Sequence, residues 1–154
     1  MSDERLGLGE RPGASMCQDR MGQLEVRIPV REESDVAMAR MCAREFALRE
    51  GLSESAAEAL AIATSEIVRN IVVHAGRGEV CVAATQVGDR RGVTVVARDA
   101  GPGIPDPARA LEDGYSTAGG LGLGLSSAAR LADFFDLKSA AGEGTTVTIT
   151  KWAR

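Results

Sequence analysis

Ser65-Glu66-Ile67-Val68-Arg69-Asn70 sets a carboxylate and an amide four residues apart inside a run of helical period. One turn of helix separates Glu66 from Asn70 by about 6 Å along the axis, so the two side chains face the same direction. The surrounding helix reads from Ser53, a capping residue, through about 54–75. Leu60, Ala63, Ile67, Ile71 and Val72 fall toward a core, while Glu66, Asn70 and His74 follow an i, i+4, i+8 line. Gly76 and Gly78 close it. A solvated helix face would carry the same polar residues, so the pair gains its meaning from what lies around it in the chain.

Upstream, Leu24-Glu25-Val26-Arg27-Ile28-Pro29-Val30 alternates at period two, which predicts a half-buried strand whose proline favours a sheet edge. From about 33 to 50 the residues Val36, Met38, Met41, Phe46 and Leu48, padded by alanines, suit an amphipathic helix that stops at Gly51. Residues 1–22 mix Gly, Pro, Arg and Glu without a hydrophobic period and predict a flexible arm ahead of a single domain over 23–154. Downstream, 79–87 and 92–98 read as a hairpin turning through residues 88–92. Residues 100–120, dense in Gly and Pro, read as a long lid-like loop. A helix over about 122–134, a strand near 135–140, a Gly142-Glu143-Gly144 turn and a strand over 145–152 complete the chain.

Bulk properties bound the classes. With 154 residues, 44% apolar and 26% charged, the chain suits one domain with a real core. A net charge of −4, with Lys138 and Lys151 as the only lysines, offers no basic stripe for nucleic acid. Cys17, Cys42 and Cys81 are odd in number and lack CxxC spacing, which fits neither a zinc site nor a secreted disulfide framework. No apolar run reaches the roughly 20 residues of a membrane span, and the start lacks signal-peptide order, so a cytoplasmic protein is expected.

Two further stretches carry chemistry. Asp99-Ala100-Gly101-Pro102-Gly103-Ile104 ends a strand in a carboxylate and continues into a type II turn, with Pro102 at i+1 and Gly103 at i+2. A carboxylate held there suits an exocyclic amine such as that of adenine and repels guanine's oxo group; a tight turn with a capping aspartate reads equally well. Gly119-Gly120-Leu121-Gly122-Leu123-Gly124-Leu125 enters a helix through small residues, a setting in which backbone N–H groups can approach phosphates. No Walker lysine, early βαβ unit or His-Arg-Asp loop accompanies it, which removes the P-loop, dinucleotide-fold and protein-kinase-fold readings. His74, the only histidine, reads as a polar residue at a helix end, since no G-x-S-x-G elbow supports a triad.

E-x-x-x-N on a helix, D-x-G-x-G after a strand, a glycine-rich lid and a late G-x-G-T, in that order over about 24–152, resemble the GHKL ATPase superfamily. The resemblance implies its Bergerat ATP-binding fold: an α/β (α+β) two-layer sandwich, a mixed β-sheet with helices packed on one face. The length leaves no room for a transducer or phosphoacceptor domain and is similar to the free-standing kinases of bacterial partner switching. The stretches 65–80, 99–106, 112–125 and 142–152 resemble the RsbT-type serine/threonine switch kinases of the stressosome, with the RsbW-like anti-sigma kinases next.

By that resemblance Glu66 is the expected general base and Asn70 the Mg²⁺ ligand. Asp99 is expected on adenine, with Gly101 and Gly103 shaping its pocket. Gly120, Gly122 and Gly124 would line the phosphates, and Thr145 would assist at adenine, often through water. The implied cofactors are ATP and Mg²⁺. The implied partners are STAS-domain proteins and a PP2C-type phosphatase, or a sigma factor on the anti-sigma alternative; neither nucleic acid nor a membrane is expected. Arg109, the only cation between Asp99 and Gly124, could reach a γ-phosphate under a closed lid. A nucleotide-gated binding module without catalysis, and a simple ATPase, are the competing classes.

Overall fold

The computed structural model describes residues 15–18, 24–111 and 124–154. Strand β1 (Ser15–Gln18) is followed by β2 (Leu24–Val30), α1 (Glu33–Arg49) and α2 (Glu54–Asn70), which runs on into a π-helical turn, Ile71–Ala75. Then come β3 (Gly78–Val87), β4 (Arg90–Asp99), the short α3 (Pro107–Ala110), α4 (Leu125–Leu131), β5 (Phe134–Ser139) and β6 (Thr145–Trp152). The strands form one sheet in the order β1-β2-β3-β4-β6-β5.

A mixed sheet was expected, yet every pairing among the described residues is antiparallel. The connections explain it. Two helices separate β2 from β3 and return the chain to the end of the sheet it left, so the neighbours run oppositely. Strands β4 and β5 do point the same way, but β6 lies between them and pairs antiparallel with both. The helices cover one face. Val26, Ile28 and Val30 of β2, Val80 and Val82 of β3, Val93, Val95 and Ala97 of β4, and Val147 and Ile149 of β6 alternate onto that face and are buried.

In α1 the expected face is corrected. Val36 and Phe46 are buried, but Met41 is 52% and Leu48 39% exposed, and Ala39, Ala43 and Ala47 occupy the core instead. Alanines spaced four residues apart let α1 approach α2 and the strands closely, where a thioether or isobutyl group would hold it off. Asp35 closes the N-terminus of α1 by accepting from the backbone N–H groups of Arg31 and Glu32 at 2.8 and 3.2 Å. Ser53 caps α2 as its sequence predicts, its Oγ accepting from Ala56 N–H at 3.0 Å.

Three boundaries differ from the sequence-based expectations. The α2 hydrogen-bond pattern widens to a π-turn at Ile71 rather than continuing to residue 75, and Gly76, at φ +85°, ends it. Within the arm expected to be flexible, residues 15–18 form a strand paired to residues 24–27 of β2. Four residues without a hydrophobic period can still join a sheet, because an open edge offers backbone partners to any extended segment. The edge position expected from Pro29 is corrected: β2 lies between β1 and β3, and Pro29 falls beyond the residues that pair with β1.

Helix α4 stops at Leu131, three residues before the expected end, because Ala132 turns extended and Asp133 is claimed by the sheet. Asp133 accepts from Trp152 N–H at 2.8 Å and pairs with Arg154 and Lys151 at 3.1 and 3.6 Å. Burial works to raise its pKa, but the Trp152 N–H bond and the charges of Lys151 and Arg154 outweigh it and hold the carboxyl below its ordinary 3.8. A depressed folded pKa contributes stability that is present above the unfolded value and lost as pH falls through the folded one. Asp133→Asn is therefore expected to lower stability at pH 7 by no more than about 1 kcal/mol, since the exposed pairs are screened by solvent. The difference from wild type should shrink as pH falls below about 4 in urea melts; a gap independent of pH would refute the ionic origin.

On the uncovered face of the sheet, burial first and then the neighbouring Glu25 push the Cys81 thiol up to about 12, which keeps it protonated and unreactive. Among the described residues no helix is long and apolar enough to cross a membrane.

Candidate functional site

Strand register collects the polar residues at one end of the sheet. Gly78, Asp99, Thr145 and Ser139 stand in a single row across β3, β4, β6 and β5. Each lies two residues from a core position, Val80, Ala97, Val147 and Leu137, so the row shares the helix-covered face. Between it and the end of α2 opens a cleft. Ile67, Asn70, Ile71 and His74 line its helical side, Asp99 and Thr145 its strand side, and Pro102, Gly103, Ile104 and Leu125 its margins.

Asp99 is anchored through one oxygen, Oδ1 accepting from Gly101 N–H at 2.9 Å. The glycines around it are positions of close approach. A Cβ on Gly101 would sit 2.6 Å from Ala75 Cβ, at the end of the π-turn. Gly103 has φ +78°, the value a type II turn requires at i+2, and a Cβ there would strike the Ala140 carbonyl. Gly144, at φ +80°, leaves no room for a side chain, since a Cβ there would strike the Asp99 carbonyl oxygen. Gly142 N–H donates to Pro102 O at 2.6 Å and ties the two loops together. The carboxylate thus stands where three backbone segments meet.

Ser139, which sequence reasoning missed, joins these segments. Its Oγ accepts from Ile104 N–H at 2.7 Å, donates to Gly144 O at 2.9 Å and lies 2.8 Å from Thr145 Oγ1. The available signal was the turn. A hairpin centred on Gly142 pairs Ser139 with Thr145, whereas the Gly142-Glu143-Gly144 pattern reads as centred one residue later and pairs Thr145 with another residue.

On the helical side, Asn70 is the last α-helical residue, and its Nδ2 is buried without a hydrogen-bond partner. An unsatisfied buried amide costs about 1–3 kcal/mol and is rare in native structures, which marks the position as one awaiting a partner. Which end of the amide is oxygen follows from such networks, so either terminus can turn to a ligand. His74 stands in the terminal π-turn, at a helix end as expected, and also lines the cleft with Asn70. Glu66 lies one turn back, outside the cleft lining and against the start of α4: a Cβ on Gly124 would strike its Oε1. Gly124, at φ +82°, begins α4 in a conformation that other residues adopt only at a cost. Gly120 and Gly122 lie outside the described residues, as does the side chain of Arg109. Among the described residues no three His, Cys, Asp or Glu side chains gather as a metal cage.

The arrangement can grip a planar ligand bearing an amine at Asp99 and direct its remainder past Asn70 toward Glu66. The family model of the histidine kinase-like ATPase domain matches residues 28–151. Over 129 residues the chain is 42% identical to the serine/threonine-protein kinase RsbT of Bacillus subtilis (strain 168), covering 82% of this chain and 96% of that protein. With the family model matching residues 28–151 and so similar a relative covering most of the chain, the chain belongs to the histidine kinase-like ATPase domain family, among its RsbT-type serine/threonine kinases.

Proposed function

We propose that this ATP-dependent serine/threonine kinase transfers the γ-phosphoryl of Mg-ATP to a serine or threonine of STAS-domain partners in a bacterial partner-switching stress pathway. We further propose that it activates a PP2C-type phosphatase once released from them. The observation that carries the reading is the buried, unpartnered Nδ2 of Asn70, a donor that a phosphate oxygen would satisfy, in a cleft whose opposite wall holds Asp99 and Thr145.

In this reading Asp99 accepts from the exocyclic amine of adenine, and Gly101 and Gly103 let the loop close around the base. Asn70 fits Mg²⁺: it offers one hard oxygen and leaves the remaining positions to phosphate oxygens and water, as that ion prefers. Mg²⁺, when bound, supplies charge neutralisation across the phosphates. Glu66 takes the proton from the attacking hydroxyl, so the partner's oxygen arrives as a nucleophile at the γ-phosphorus and ADP leaves. Gly124 adjoins the base, while Gly120 and Gly122 belong to the proposed phosphate loop. ATP as the donor sets its work in the cytoplasm.

Gly124→Ala tests the link between loop and base. A methyl there collides with Glu66 Oε1 and is held at an unfavourable φ. Transfer is expected to fall by about 10², because a displacement of roughly an ångström suffices for such a loss. ATP affinity should move far less, and equal losses in both would argue that Gly124 acts on binding alone.

The direct test incubates the purified protein with γ-labelled Mg-ATP and purified STAS-domain proteins from the same genome. Label on a STAS serine or threonine is expected. Transfer confined to a small anti-sigma antagonist, together with binding of a sigma factor, would replace the pathway assignment by the anti-sigma one. ATP binding with no transfer to any protein would leave a nucleotide-gated binding module.

A further inference from the structure

The hydrogen-bond directions behind Thr145 are determined by proton count. A hydroxyl has one proton and two lone pairs. Ser139 spends its proton on Gly144 O, which can only accept, and one lone pair on Ile104 N–H, which can only donate. Its remaining capacity is a lone pair, so the 2.8 Å contact with Thr145 requires the Thr145 hydroxyl to donate. Thr145 therefore has no proton left for the cleft it lines and can only accept there. Asp99, its cross-strand neighbour, is also an acceptor.

We infer that Ser139, although it does not line the cleft, is a specificity-determining positioning residue. By taking the Thr145 proton it makes the strand wall of the cleft a pair of acceptors, Asp99 and Thr145. That wall selects a purine whose six-position carries an N–H₂ donor over one carrying a carbonyl. The inference rests on the adenine-site reading proposed above and deepens it. An amine has two hydrogens to give to that wall directly, whereas an oxo group in direct contact meets lone pairs on both sides. Rejection of that kind comes from unpaired or opposed polar groups rather than from steric exclusion.

The experiment compares calorimetric affinities for ATP and ITP, which differ in the group at the six-position and in the hydrogen that the oxo form carries on N1. Wild type is expected to prefer ATP. In Ser139→Ala the Thr145 hydroxyl regains its proton, can turn it toward the ITP carbonyl, and the ATP-to-ITP preference should narrow roughly tenfold, the scale of one hydrogen bond. Ser139→Cys, which nearly keeps the volume but is a weak acceptor, provides a second variant with the same expected narrowing if the alanine variant does not fold. Thr145→Val should narrow the preference by itself, and adding Ser139→Ala to it should change the ratio no further, since one residue acts through the other. If Ser139→Ala weakens ATP and ITP by the same factor, Ser139 only braces the loops and the inference falls. If wild type binds neither nucleotide, the adenine-site reading fails, a result distinguishable from a wild type that prefers ATP and variants that keep the preference.

Discussion

Glu66→Ala is expected to lower phosphoryl transfer by about 10²- to 10⁴-fold, the contribution of a positioned general base. ATP affinity should stay within about twofold, because Glu66 lies outside the lining of the cleft that holds Asp99 and Thr145. Glu66 is well placed for such a split. It is half-buried, one helical turn before Asn70, with its carboxylate against Gly124 at the start of α4. Glu66→Gln keeps that packing and removes only the basicity, so the two variants should lose transfer similarly if proton removal is the role. A glutamine variant that retains full transfer while alanine loses it would assign Glu66 to packing under Gly124. Transfer unchanged in both would remove it from the reaction. Single-turnover rates with saturating labelled ATP and a purified acceptor provide the measurement.

Asp99→Asn is expected to weaken ATP binding by about 1.5 to 3 kcal/mol, the scale of a hydrogen bond to a charged group. That corresponds to roughly 10- to 150-fold in Kd. The substitution preserves shape. Asparagine Oδ1 can still accept from Gly101 N–H, so the Gly101–Ile104 loop keeps its anchor and the melting temperature without nucleotide should hardly change. The new amide N–H₂ meets the adenine amine donor to donor, so preference should shift toward oxo-purines as ATP affinity falls. Titration calorimetry that shows no loss for ATP would place adenine elsewhere, and a large fall in the melting temperature would show that the charge supports the fold instead.

Much of this site was legible because its signals are local. The four-residue spacing of Glu66 and Asn70 is a property of one helix. Asp99 followed by Gly-Pro-Gly is a strand end and turn readable within six residues, and the positive φ at Gly103 is what that turn demands. Ser53 announced its cap and Gly76 its helix end. Where reading was less accurate, two local signals competed. Met41 and Leu48 looked like core by hydrophobicity, but the alanines between them allowed closer helix packing and took the buried face. The π-turn at Ile71–Ala75 has no compositional mark, since its residues suit an α-helix equally well.

The sequence by itself determined the order and kind of the main elements, the positions of the carboxylates and the amide, and the glycines where backbone must pass close to backbone. Only the tertiary structure decided that β6 lies between β4 and β5 and that Thr145 faces Asp99. It also decided that Ser139 stands behind Thr145 and that Glu66 rests on Gly124. The division has a physical cause. Helical period, capping and turn chemistry act over a few residues, whereas strand order and register depend on which distant segments exclude water best together. A one-residue shift in register, invisible in composition, would turn Thr145 away from the cleft.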